Sequence, residues 1–281
     1  MEFLYQRYWH SEVYRAGDHL ICGRTMYADS DRELAVSMVL DTVELKIQEA
    51  YWEKYGSPGD MREYRKEIPD LKGIQAYLGQ GPHLRRAAEN LGEDMARSMI
   101  NETVTCIVQA ETFLLLERGY TGKEDYNQAW DHFYDGSCRY YSNLDRVQCS
   151  WGDYIGNQAR ENRLFDRFKS QHIYREQGVG YMIAGNLRDS FHHISSWLEI
   201  EADVNQVLRA EASLMQVPDE VCRESIHQLK NIEGLCVRGM KKKELAQHLG
   251  AGQGCVHLID LVYDSVDTYN RCLNKQLEQS C

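Results

Sequence analysis

Residues 248–261 read HLGAGQGCVHLIDL, and here the chain places its most reactive side-chain types close together. Cys255 follows Gly250, Gly252 and Gly254 at the point where an amphipathic helix begins, and His257 lies two residues on. A thiol at a helix N-terminus feels the positive end of the dipole, which lowers its pKa and favours the thiolate. Glycines before it let backbone approach closely and leave amide N–H groups for an anion. Two residues apart on a regular helix, Cys255 and His257 point in nearly opposite directions. They converge only if Cys255 precedes the helix proper, which Gly254 permits. Cys222 falls in the first turn of another expected helix, and Asp189 ends a strand-like run. Asp189, Cys222, Cys255 and His257 would be a borderline-soft ligand set suited to zinc or iron. Without a metal, Cys255 and His257 would be candidates for nucleophile and general base.

A plainer reading stands beside this one. Free cysteines are often buried and act as small hydrophobes, and the chain has no Cys-x-x-Cys pair. Cys22, Cys106, Cys138, Cys149, Cys236, Cys272 and Cys281 are read as packing residues. His192 and His193 sit in a strand-like run, so they should point to opposite faces, one of them toward solvent. The Lys-Ser/Thr of a phosphate-binding loop, a Gly-x-Ser-x-Gly elbow and a His-Glu-x-x-His helix are all missing.

Composition narrows the partners. The 281 residues are 43% apolar and 27% charged, with a formal charge of −11. Such an acidic surface argues against nucleic acid, which requires clustered Lys and Arg. Lys241-Lys242-Lys243, the one basic cluster, reads as a solvated helix face. The opening MEFLYQRYWHSEVYRAGDH has no apolar stretch of signal-peptide length, and no run approaches 18 apolar residues. A cytoplasmic protein is expected, with no membrane partner and nine cysteines kept mostly as thiols. A small molecule or metal ion is the expected partner, with a homodimer as a further option.

The elements that must position these residues occur twice. Shifted by 160 residues, YQRYWHSEVYR (5–15) falls on FDRFKSQHIYR (165–175), Asp29-Ser30 on Asp189-Ser190, Ala50 on Ala210 and Pro58 on Pro218. Slightly out of step, LKGI (71–74) meets IEGL (232–235). This reads as two diverged copies of one domain, 1–117 and 161–281. The first copy, with Arg62 where the second has Cys222, lacks the Cys/His motifs. Each copy alternates in hairpin fashion and then turns helical. LKIQEAYWEKY and NQVLRAEASLM are expected as strands running into a helix. PDEVCRESIHQLKNIEGL is expected as a helix with Pro218 in its first turn, stopped at Gly234. The fold class is α+β: antiparallel sheets covered by helices. Residues 118–160, dense in Tyr and Trp, are expected to pack as a clasp or cover a pocket.

The second half resembles an uncharacterised bacterial family of unknown function. The residues that carry the resemblance are Phe165-Asp166-Arg167, Asp189, Pro218-Asp219-Glu220-Val221-Cys222-Arg223, Glu233-Gly234-Leu235 and Gly254-Cys255-Val256-His257-Leu258. A weaker resemblance is to iron–sulfur scaffolds of the IscU/NifU type, where a meander also runs into helices. It implies Asp189, Cys222 and the Cys255/His257 pair as ligands, although Leu187-Arg188-Asp189 stands in place of their Cys-Gly-Asp turn. Three functions remain open: a metal- or thiolate-centred protein, an enzyme acting on a small anionic or aromatic metabolite between the copies, and a non-catalytic small-molecule binding module.

Overall fold

Alternation of buried and exposed side chains carries most of the chain into strands. A computed structural model of the protein describes residues 1–56, 62–156 and 159–279. Pro58 and Cys281 therefore lie outside the described residues. The first half begins with β1 (Glu2–Gly17), β2 (Leu20–Asp29), β3 (Glu33–Asp41), β4 (Ile47–Tyr55) and a short β5 (Tyr64–Glu67), followed by α1 (Gly81–Leu91) and α2 (Ala96–Ala110). Next come α3 (Lys123–Tyr134) and α4 (Trp151–Ile155). The second half has β6 (Arg163–Glu176), β7 (Gly180–Asp189), β8 (His193–Ile200) and β9 (Val207–Gln216). A 3-10 stretch over Glu220–Ile232 follows, then α5 (Lys242–His248) and α6 (Val256–Gln279).

The chain divides into two compact units. One contains Tyr8–Tyr126 and Asn157–Phe168; the other contains Met1–Arg7, Asn127–Gly156 and Lys169–Cys281. In the first unit, β2 to β5 pair antiparallel in sequence order and α2 lies on β2 and β3. Gly23 allows that approach, because a Cβ there would meet the Ile107 side chain at 2.8 Å. In the second unit, β7, β8 and β9 pair antiparallel and α6 lies on β7 and β8. Gly185 plays the matching part: a Cβ would meet Ser196 Oγ at 2.5 Å and Ser265 Oγ at 2.8 Å.

Strand register repeats between the halves. Ile21 faces Leu40 and Tyr181 faces Ile200, and adding 160 to 21 and 40 gives 181 and 200. Ser37 faces Tyr51 as Trp197 faces Glu211. A bulge falls between Val39 and Leu40, and another between Glu199 and Ile200. Leu45 and Asn205 both have left-handed backbone, with φ of 55° and 57°. Arg7 and Arg167 also correspond. Arg7 Nη1 donates to Asp267 Oδ2 at 2.8 Å and approaches Asp264 of α6, while Arg167 pairs with Glu102 of α2 at 3.5 Å. Both arginines are buried, and their partners are helix carboxylates.

Two local expectations change. Ile47–Tyr55 and Val207–Gln216 are strands throughout and do not run into a helix. Each keeps pairing partners along its length, and tertiary pairing overrides local helix propensity. Glu220–Ile232 winds as 3-10 rather than α, and its cap is Asp219, whose side chain accepts from Val221 N–H. Pro218 therefore lies outside the helix. Gly234 does follow its end, at φ 82°.

Candidate metal centre

The site begins with a tight turn. β7 ends at Asp189, and the chain must reverse within Ser190-Phe191-His192 to start β8. An aspartate favours such a turn because its short side chain accepts the N–H groups just ahead of it. Asp189 Oδ1 accepts from Phe191 N–H at 2.8 Å and His192 N–H at 2.7 Å, and Asp189 N–H donates to the His192 carbonyl at 2.8 Å. The same oxygen lies 3.1 Å from His192 Nδ1. Asp189 and His192 are buried at 5% and 6% exposure, so neither is merely a solvated surface group.

α6 supplies the third group. His257 sits in its first turn with Nε2 3.9 Å from Asp189 Oδ2. The His192 and His257 rings stack, their centroids 3.7 Å apart. One ligand atom from each of Asp189, His192 and His257 falls within a common span of 4.8 Å. Donors bound about 2.1 Å from a tetrahedral ion stand about 3.4 Å apart, so small side-chain adjustments would close this set on an ion. Two imidazoles and a carboxylate suit zinc, iron and similar divalent ions, with room for water or another ligand at the remaining positions.

The aromatic segment covers this turn within the same unit. Trp151 packs edge-on against Phe191, centroids 4.8 Å apart. Tyr154 Oη donates to the Phe191 carbonyl at 2.6 Å and accepts from Gln216 Nε2 at 3.0 Å. Burial pushes the Tyr154 phenol up, with Asp189 among the charges adding to the effect. Within the Tyr/Trp-rich region, Trp130, Tyr140 and Trp151 are buried.

The cysteines are placed differently. Of the four residues expected as ligands, Asp189 and His257 meet, whereas Cys222 and Cys255 belong to no group of three converging ligand atoms among the described residues. Both thiols are packed in the apolar core of the second unit. Burial pushes the Cys255 thiol up to about 12, the reverse of the lowering expected from the helix terminus, and Cys222 rises further for the same reason. Desolvation of a thiolate outweighs the favourable N–H groups of the first turn. The glycines before Cys255 serve close packing. A Cβ on Gly254 would lie 2.0 Å from the Leu249 carbonyl, and one on Gly252 would lie 2.2 Å from that of Gly136. Arg139 N–H donates to the Gly254 carbonyl at 2.9 Å, and Ser142 Oγ donates to that of Gly252 at 2.7 Å. The loop is therefore a packing seat for residues 136–142. Its position does leave Cys255 just before α6, as the sequence required.

His192 is the member that spacing did not single out. The signal was available as Asp189 three residues before it, the arrangement of an aspartate turn that folds the side chain at its far end back over the carboxylate. Reading residues 192–193 as plain strand concealed it; β8 starts only at His193.

An α+β chain with a buried carboxylate–imidazole cluster is thus the class that fold and site define. Residues 170–271, which take in Asp189, His192 and His257, match a family model described as a protein of unknown function (DUF2889). No curated protein and no solved structure matches the chain. The likeness to iron–sulfur scaffolds accordingly has no support, and the Cys ligands it required do not converge. Among the described residues no helix is long and apolar enough to cross a membrane.

Proposed function

We propose that the second half of the chain is a metal-binding module that holds a divalent zinc- or iron-type ion through Asp189, His192 and His257. The observation that carries this reading is the convergence of three ligand atoms within 4.8 Å on two separate elements, the β7–β8 turn and the start of α6. Their burial supports it: clustered His and Asp under an aromatic cover gain most from an ion that compensates their desolvation. A thiolate-centred alternative on Cys255 is less favoured, because both buried thiols are held neutral. We also read the two halves as diverged copies, a reading supported by the matching registers, bulges and left-handed residues at an offset of 160. In that view the metal site arose in one copy only.

The test is metal content by plasma mass spectrometry on protein purified anaerobically without a metal-affinity tag. About one ion per chain is expected, lost in His192→Ala and His257→Ala and kept in the Cys222→Ser/Cys255→Ser double variant. Protein that carries no metal and takes up neither zinc nor ferrous iron on reconstitution would overturn the proposal. Metal lost only in the cysteine variant would move the site to the thiols.

A further inference from the structure

The strands of the second unit have another face, away from α6, and it is hollow. Gly185 turns toward α6, so its neighbours Ala184 and Asn186 point to the opposite side. There a cavity of about 560 Å³ is lined by residues of β6, β7, β8 and β9, a size in the range of small-molecule sites. Its lining forms two cross-strand rows. Asn186, Ser195 and Ser213 stand opposite one another in one row, and Ala184, Trp197 and Glu211 in the next. The hollow exists because small Ala184 and Ser195 flank one large indole.

The corresponding row in the first unit carries a long side chain where the second has Ala184. There Arg24 stands at the Ala184 position, with Ser37 and Tyr51 completing the row. Arg24 Nη2 donates to Glu53 Oε2 at 3.0 Å and contacts Tyr55 Oη at 2.8 Å. One guanidinium thus occupies the space that Ala184 leaves open.

The lining defines the ligand. No Lys or Arg is among the cavity's lining residues, which argues against phosphates and carboxylates. The Glu211 carboxylate already accepts from Arg209 at 2.5 Å, which weakens any call for a cation. The Trp197 indole N–H donates to Glu199 Oε1 at 3.1 Å, leaving the ring face rather than the N–H for contact. Ser195, Ser213 and Asn186 offer neutral donors and acceptors, spaced roughly 4.8 Å across strands and about 6.7 Å along them.

We propose that this groove binds a neutral polyhydroxylated ring, the chemistry of a sugar unit, with its apolar face on Trp197 and its hydroxyls on the Asn186–Ser195–Ser213 row. The groove lies on the face opposite the metal cluster and does not depend on it.

The experiment is calorimetry and saturation-transfer NMR on the full chain with maltose, cellobiose, lactose and diacetylchitobiose, beside glucose 6-phosphate and choline. At least one neutral disaccharide should bind, without change on adding a chelator. Binding should weaken by at least about tenfold in Trp197→Ala, where the stacking face is lost, and in Ala184→Arg, which refills the hollow as the first unit does. The Ala184→Arg side chain enters an open face, so the variant retains the fold and reads out the groove alone. Failure of all four disaccharides to bind would overturn the proposal, as would binding unchanged in both variants. Choline or the phosphate ester binding more tightly than every neutral sugar would reassign the groove to charged ligands.

Discussion

The turn at Asp29 and the turn at Asp189 are built alike and end differently. Asp29 Oδ1 accepts from Asp31 and Arg32 N–H at 2.8 and 3.0 Å, as Asp189 Oδ1 does from Phe191 and His192. In each turn the aspartate N–H donates to the carbonyl three residues on. At the last turn position stands Arg32 in one and His192 in the other. Arg32 Nε stays 3.7 Å from Asp29 Oδ2 while its Nη atoms pair with Asp94 at 2.9 and 2.8 Å, with Asp94 58% exposed. His192 folds inward onto Asp189 and stacks on His257. The aspartate is thus a turn-maker in both places, and the residue three positions later decides whether the turn carries an ion pair to a partly exposed carboxylate or a buried imidazole. Likewise Arg24 fills one sheet face that Ala184 leaves hollow.

The largest effect should come from the buried ion pairs common to both halves. Asp264 serves Lys169 at 2.9 Å and Arg7 at 3.9 Å, both cations almost fully buried. Glu102 serves Arg167. Asp264→Ala should cost about 3–5 kcal/mol, since it removes a carboxylate paired with the buried Lys169 ammonium. Glu102→Ala should cost clearly less. Chemical denaturation of the two variants measures the difference, and equal losses would break the idea that α6 carries the heavier polar load.

The turns themselves can be separated from metal binding. Asn can make the same turn bonds as Asp, so Asp29→Asn and Asp189→Asn should each shift stability by no more than about 1 kcal/mol. Only Asp189→Asn should weaken zinc, by at least about tenfold in a chelator competition, because it replaces a charged ligand. Equal loss of metal in both variants would refute a site confined to the second half.

The contact between Asp219 and residues 148–149 should weaken in acid. Asp219 is buried, which opposes ionisation, but three N–H groups, from Val221, Cys149 and Gln148, outweigh this and hold its carboxyl below the usual range. A depressed folded-state pKa contributes stability above the unfolded value of about 3.9, and that contribution is lost as pH falls through the folded value. Asp219→Asn should therefore cost about 1–2 kcal/mol at pH 7 and much less near pH 3. Thermal melts at the two pH values test it, and a cost independent of pH would rule out the charged cap.

Much of the fold could be read from residue order. Alternation in ELAVSMVLD and HISSWLEI, with Gly and Asp at the turns, located the strands, and the period of VHLIDLVYDSVDTY located α6. The 3-10 winding of Glu220–Ile232 was hidden, since its apolar spacing suits an α-helix equally well. At the site, Asp189 and His257 were legible as chemistry-bearing residues, but the fate of the thiols was not. A Cys at a helix start is activated or silenced according to burial, and burial of Cys255 depends on residues 136–142, more than a hundred positions away. His192 was obscured by a turn one residue longer than the strand reading allowed. Long-range desolvation and turn geometry are the parts that local pattern does not encode.

The smallest expected effect lies at the tip of the first-half turn. Arg32 and Asp94 are 35% and 58% exposed, so their well-formed pair competes with water and salt. Asp94→Ala should change stability by about 0.5 kcal/mol or less, and less still in molar salt. Arg32→His would place the second half's residue on this turn, but no second imidazole stands ready, because Arg97 holds the second position of α2 as His257 holds that of α6. That variant should remain as stable as the parent and bind no added zinc. Zinc uptake by Arg32→His would mean that the turn alone makes the site, and that the partner histidine on α6 is dispensable.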